Sequence, residues 1–418
     1  MDPLGQLSIW ADFGRRVVTN LTTVANSARD FGVLLTGARL AEEVTNLTGI
    51  EQDLPTFLKW ESLVAYSRSC SAREKGQRLS LRGIERVNRR LDDAKTVTVS
   101  AEKTDQILSN QKMYGLFGLF TVPARKSGLL EPSHFRLTRE ASDFVQRAYI
   151  DRLDETFGAD RLVELLARPG FKFTPRGKDE RLARDLAAAF PAALRQLEKD
   201  FFREWLLFAR RADDQVVSPV QEELAQLLLE TTTDAEFSFT LKSVARLAAE
   251  AGRRFKTSDL GQRLLDIATC ESVIAPAAQL YSFALGRHGD ALPDIAADVK
   301  SLWKHGLTST VKPEAFERLR LDQVLDAKLG ALWNECAETL HAGAWEDTLT
   351  LLLRVNAEVM RTRGNSAPWA ELEHGKLKVR RSDEANALWK AEELPDLWLH
   401  PYFLQSLRTV ATDVGGAR

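Results

Sequence analysis

Cysteine is scarce in this 418-residue chain: Cys70, Cys270 and Cys336 are scattered, odd in number and never spaced as CxxC. That spacing excludes a disulfide framework and gives no support to a structural zinc site, so all three are expected as reduced thiols. Histidine is thin as well. His134, His288, His305, His341, His374 and His400 stand singly, with no HxH or HxxxH pair to seed a metal centre. Phosphate loops are missing: "LLTGARLAEE" and "RTRGNSAP" hold one glycine each and fit no GxxxxGK[ST] frame, which argues against that class of nucleotide hydrolase. No GxSxG elbow occurs, and no cysteine carries a Cys/His protease signature. No stretch approaches the roughly 18 apolar residues that span a bilayer. The opening "MDPLGQLSIWADFGRR" lacks a basic leader followed by an apolar run, so the expectation is a cytoplasmic protein without a membrane partner. An excess of one charge is also lacking. Lys and Arg number 57 against 59 Asp and Glu, so any attraction to nucleic acid must come from a local patch.

What is present reads as globular: 44% of residues are hydrophobic and 28% charged. The length exceeds one ordinary core and predicts more than one domain. Ala, Leu and Phe recur at helical spacing over residues 159–353, as in "RLARDLAAAFPAALRQLEKDFFREWLLFARRA" and "VQEELAQLLLETTTDAEFSFTLKSVARLAAEAGRRF". That predicts a packed array of helices with few strands. Helix starts are expected at Ser218 before Pro219, at Thr233 or Asp234, and at Ser258; Gly252, Gly286 and Gly306 suit helix ends. Pro169, Gly170, Pro175 and Gly177 break the pattern and set a boundary, and Gly364, Asn365, Ser366 and Pro368 mark a second loop. Beyond it, "WAELEH" and "KLKVRR" alternate about His374-Gly375, which predicts a β-hairpin, and "DLWLHPYFLQSLRTVATDV" returns to helix. No long period recurs, so a strict solenoid is disfavoured. The expected class is mainly α. It comprises an N-terminal domain over 1–168, a helical scaffold over 169–360 and a hairpin with a helix over 361–418.

Two stretches in the N-terminal part carry a functional suggestion. Over residues 67–95, nine cations face four acids, a local surplus of about five. On a helix from Leu81, Arg82, Arg86, Arg89 and Arg90 form a ridge while Ile84, Val87 and Leu91 face away. A solvated helix face is the plainer account of such a ridge, and phosphate contact the sharper one. Next comes "TDQILSNQKMYGLFGLF", with an apolar face of Ile107, Leu108, Tyr114, Phe117 and Phe120 and a cap at Thr104 or Ser109. A short second helix is expected from Pro123 to about Gly128, then the β-like "HFRLT", then a helix opened by Thr138. The order helix, helix, wing, helix suits a winged-helix module, and "FRLTREASDFV" resembles the wing-to-helix junction of winged helix-turn-helix proteins. That resemblance implies Lys112, Arg125, Lys126, Arg136 and Arg139 as the groups nearest a duplex.

The hunt for chemistry ends at the hairpin, where Glu371, Glu373 and Lys376 have the residue types of a metal-dependent nuclease but a Glu-x-x-Lys spacing across the turn and no identified upstream acid. Trp333, Trp345, Trp369, Trp389 and Trp398 cluster late; packing is their default role, and an exposed "APW" loop ending at Trp369 would serve for protein docking. Taken together, "ILSNQKMYGLFGLFTVPARKSGLL", "HFRLTREASDFV" and "NSAPWAELEHGKLKVR" resemble helical proteins of bacterial phage-defence or mobile-element operons. The resemblance implies an accessory subunit working beside other proteins. The leading expectation is a non-enzymatic, cofactor-free subunit that contacts double-stranded DNA and partner subunits. A pure protein-interaction scaffold and a metal-dependent nuclease remain as alternatives.

Overall fold

A computed structural model describes residues 2–77, 81–210, 219–364, 366–382 and 385–415. In chain order the elements are α1 (Gln6–Arg15), α2 (Ala28–Thr48), α3 (Asp53–Glu74), α4 (Ile84–Asp93), β1 (Val97–Ser100), α5 (Gln111–Tyr114), α6 (Leu116–Lys126), α7 (Arg139–Val145), α8 (Asp151–Thr156), α9 (Ala159–Ala167), β2 (Gly170–Phe173), α10 (Glu180–Ala189), α11 (Gln196–Phe202), α12 (Pro219–Glu230), α13 (Leu241–Arg254), α14 (Leu260–Leu285), α15 (Leu292–Trp303), α16 (Pro313–Glu317), α17 (Ala327–Ala342), α18 (Trp345–Thr362), β3 (Ala370–Glu373), β4 (Lys376–Val379) and α19 (Leu404–Gly415). The protein is mainly helical, with two small antiparallel two-stranded sheets, β1–β2 and β3–β4. Among the described residues no helix is long and apolar enough to cross a membrane. The chain divides into two compact units: Met1–Val18 with Asp234–Gln405, and Thr19–Thr233 with Ser406–Arg418.

The Thr19–Thr233 unit is built on α2 and α3, of 21 and 22 residues. Both are buried along most of their length, and the buried positions include the polar and charged Arg29, Lys59 and Glu61. They pack on each other, and α10 also packs on α3. Ser27 caps α2 by accepting from Asp30 N, and the buried Trp60 indole donates to Val33 O at 2.9 Å. Two charged groups inside this core are fully partnered. Lys59 donates its amine to the carbonyls of Leu166 and Arg168 at the end of α9, where the helix leaves carbonyls unpaired. Glu198 takes Arg29, Arg195 and the Tyr149 hydroxyl. Tyr149 reaches that acid from a π-helical turn, Gln146–Ile150, that joins α7 to α8. The Pro169–Gly177 stretch, where the helical pattern breaks, supplies β2, which pairs with β1 in the register Val97↔Phe173 to Ser100↔Gly170.

The Asp234–Gln405 unit stacks α13 on α14 and α17 on α18. Thr240, not Thr233 or Asp234, opens α13, through a reciprocal cap with Ser243. Asp259 is the N-cap of α14, and the Ser258 hydroxyl accepts from Leu260 N. Gly286 does follow α14, whereas Gly252 lies inside α13. Ser218 and Asn365 lie outside the described residues. The expected hairpin forms: His374 and Gly375, with φ of 52° and 76°, make the two-residue turn between β3 and β4. The tail is helical only from Leu404. Ahead of it, Glu271 on α14 is wholly buried and accepts from Leu399 N, His400 N, His400 Nδ1 and the Tyr402 hydroxyl, which pins an extended segment against the helix. The three cysteines are free and buried.

Candidate nucleic-acid interface

The candidate interface lies wholly in the Thr19–Thr233 unit and starts at α4. Val87 and Leu91 face the core as the pattern requires, with Ile84 half-buried. The arginines opposite them are not a bare ridge. Arg82 Nη2 donates to Val24 O at 3.3 Å and Arg86 Nη1 to Gln106 O at 3.2 Å. Arg90 donates to the Tyr66 hydroxyl at 3.1 Å, to Asp105 O, and to Thr104 O at 2.5 Å. The guanidinia of Arg86 and Arg90 thus tie α4, and that of Arg82 the turn before it, to neighbouring loops through backbone carbonyls, and none of the three forms an ion pair among the described residues. Arg89 is exposed. Arg73, upstream on α3, is paired with Asp92 at 2.7 Å, while Arg78 lies outside the described residues.

The helices that follow break in a different place from the one the sequence suggests. Residues 104–110 are turns, not a capped helix, and Asn110 caps α5 by accepting from Met113 N. The chain then kinks at Gly115, and α6 runs eleven residues with Pro123 inside it. The cause is distant in sequence. Glu61 on α3 accepts from Leu116 N at 2.7 Å and from Gln111 Nε2 at 2.8 Å, taking up the first orphan N–H of α6. A Cβ on Gly115 would lie 2.4 Å from Gln111 O and 2.7 Å from Glu61 Oε2, so only glycine fits. Complete burial pushes the Glu61 carboxyl up to about 7, despite these hydrogen bonds.

Ile107 and Phe120 are buried as expected, and Phe117 packs between Phe57 and Phe135, but Tyr114 is 54% exposed. Its exposure belongs to a stripe. Gly118 lies against the carbonyls of Lys112 and Met113, and Gly118, Val122 and Lys126 follow at successive turns of α6, all exposed. Lysines stand at both ends, with Met113, Tyr114 and Val122 as exposed apolar groups between them. Beyond α6, an isolated antiparallel bridge, Leu130↔Leu137, closes a loop, and Thr138 precedes α7. The Thr138 hydroxyl donates to Gly128 O and accepts no capping hydrogen bond from α7. Arg136 and Arg139 are exposed on this segment; Arg125 is half-buried, near His134 O.

The remaining sequence candidates sit in the other unit. Trp369 is 2% exposed, its backbone N–H donating to Asn356 Oδ1 and its ring lying 4.6 Å from the Arg381 guanidinium. It therefore forms no exposed docking loop, because the hairpin folds its indole inward. On that hairpin Glu371 pairs with Arg380 and Glu373 with Lys378. Among the described residues no group of three His, Cys, Asp or Glu side chains is placed to hold a metal ion. Comparison with protein-family models, with curated proteins and with solved structures returns no match.

Proposed function

We propose that the Thr19–Thr233 unit contacts duplex DNA through α5, α6 and the bridged loop before α7, as the DNA-contacting part of a non-catalytic accessory subunit. The observation that carries this reading is the exposed α5–α6 stripe ending in Lys112 and Lys126, with Arg136 and Arg139 on the adjoining segment. The order α5, α6, Leu130–Leu137 bridge, α7 supports a winged-helix-like arrangement in which α6 takes the recognition position. An eleven-residue α6 is long enough to lie in a major groove, which a helix confined to residues 123–128 is not. Arg82, Arg86 and Arg90 then act as braces for α4, and the phosphate contacts fall to the other cations.

The test is binding to a fluorescent generic duplex over a salt series. Each neutralised phosphate contributes about −0.9 to the slope of log K against log salt. Changing Lys112, Lys126, Arg136 and Arg139 together to Ala is expected to flatten that slope, while Arg89→Ala alone alters it little. Absence of wild-type binding at low salt overturns the reading. Met113 and Tyr114, 55% and 54% exposed, favour protein docking as the second reading, for which the stripe would be apolar at its centre and ringed by charge.

A further inference from the structure

Four charged side chains meet at one small chamber inside the same unit, away from the stripe's exposed side. Asp30 stands in the first turn of α2, Glu61 and Arg68 lie two helical turns apart on α3, and Arg82 precedes α4. Val33, Ala65, Leu81 and Ile107 complete the wall. The chamber measures about 30 Å³, room for a group of roughly two or three non-hydrogen atoms.

Arg68 is the anomaly. Its side chain is 10% exposed, its nearest acidic oxygen is Asp30 Oδ1 at 3.9 Å, and no hydrogen bond ends on its guanidinium among the described residues. Glu61 and Arg82 are different, because each has a partner. A guanidinium carries five donors, and those of Arg68 have no hydrogen-bonded protein acceptor among the described residues, only the Asp30 carboxylate at ion-pair distance. Burial pushes the Asp30 carboxyl up and the Arg68 guanidinium down, the directions expected of two charges desolvated without close contact. Donors from Arg68 and acceptors from Asp30 thus face one space as an ion pair with no hydrogen bond between them.

We propose that this chamber binds the primary carboxamide head group of a small ligand, its carbonyl accepting from Arg68 and its NH2 donating to Asp30. The choice follows from complementarity. A carboxylate brings no donor to Asp30 and adds a like charge; an ammonium brings no acceptor to Arg68; a carboxamide brings one of each on adjacent atoms. The rest of the ligand extends into an adjoining cleft of about 440 Å³, which shares Asp30, Leu81 and Arg82 with the chamber and adds the polar side chains of Asn26, Thr409 and Asp413. This site does not depend on whether the unit binds DNA.

The experiment titrates the full chain with benzamide and, separately, with benzoate, followed by saturation-transfer NMR and calorimetry. Benzamide is expected to saturate with a dissociation constant on the order of 1 mM, as befits so small a ligand. Benzoate should bind about tenfold more weakly, the size of one lost hydrogen bond with a charged partner. Arg68→Met keeps the volume and is expected to abolish benzamide binding while lowering the unfolding temperature only slightly, since the ion pair it removes is a long one. Ala65→Leu fills the chamber and should weaken binding as well; if it fails to fold, Arg68→Met alone decides. No saturable benzamide binding by the wild type overturns the proposal, as does benzoate binding equally well. An Arg68→Met variant that melts early yet still binds would make Arg68 a structural brace and refute the site.

Discussion

Glu198 has no exposed side-chain surface, yet it is ionised at every pH near neutrality. Burial pushes its carboxyl up, but hydrogen bonds from Arg29 and Arg195 outweigh that and hold it at about 2. The pair is therefore worth more as a partnership than as a sum. Removing the charge by Glu198→Gln leaves Arg29, only 4% exposed, without its counter-ion. The expected cost is about 3–5 kcal/mol, the usual penalty for orphaning half of a buried ion pair, read as a fall in the denaturation midpoint with unchanged slope. A loss under about 1 kcal/mol would mean that Arg29 finds other acceptors or water. Arg68 invites the opposite expectation because its acid stands off at 3.9 Å. The sequence places Lys59, Glu61 and Arg68 inside the run "FLKWESLVAYSRSCSA" but assigned them no role. It could not say which charges meet, because Asp30, Glu61 and Arg82 lie on different segments that only tertiary packing brings together.

At the scale of elements, two glycines make opposed predictions. Gly115 ends α5 with backbone and carboxylate oxygens pressed against the place of a Cβ, so Gly115→Ala must shift either α5 or Glu61. A loss of about 1–3 kcal/mol is expected, with weaker hydrogen-exchange protection in α6. Gly252 sits inside α13 with nothing within 4 Å of a Cβ. Gly252→Ala should therefore raise stability by about 0.5–1 kcal/mol through helix propensity and unfolded-state entropy; a melting temperature that stays put or falls would count against that. The same contrast explains which elements the sequence revealed. The β3–β4 hairpin was legible because His374-Gly375 supplies the two positive φ values its turn demands and the strands alternate on either side. The α5–α6 break was misplaced at Pro123 because the deciding contact comes from Glu61, some fifty residues upstream. The spacing of Arg86 and Arg90 likewise put both on one face of α4, but the expected start at Leu81 gives way to Ile84, which leaves Arg82 off the helix, and nothing in the spacing showed that the loop at 104–106 folds back to occupy the guanidinia of Arg86 and Arg90.

For the molecule as a whole, the buried carboxyls of the Thr19–Thr233 unit set how its stability varies with pH, and they pull in two directions. Burial raises Glu61 to about 7, and raises Asp413 to about 6 against a hydrogen bond from Ala28 N. Such groups bind a proton more tightly when folded than when unfolded, so ionising them destabilises the fold, and stability grows as pH falls from about 7 toward the unfolded value of 4.5 for a glutamate. Glu198 does the reverse: its contribution is complete above 4.5 and is lost as pH falls toward 2. Lys59, lowered by burial to about 8, enters only on the alkaline side, where losing its proton favours the fold. The sum places the acid-side maximum of stability near pH 5 rather than at neutrality. Hydrogen exchange of α2 and α3 amides, corrected for the intrinsic pH dependence of exchange, should report greater protection at pH 5.5 than at 7.5, by about 2–3 kcal/mol. In Glu61→Gln that difference should shrink by about two thirds, with Asp413 supplying what remains. Protection that is lower at pH 5.5 than at 7.5 would contradict the assignment of Glu61 as an acid buried against its own ionisation, and would mean that the hydrogen bonds from Leu116 and Gln111 outweigh its burial.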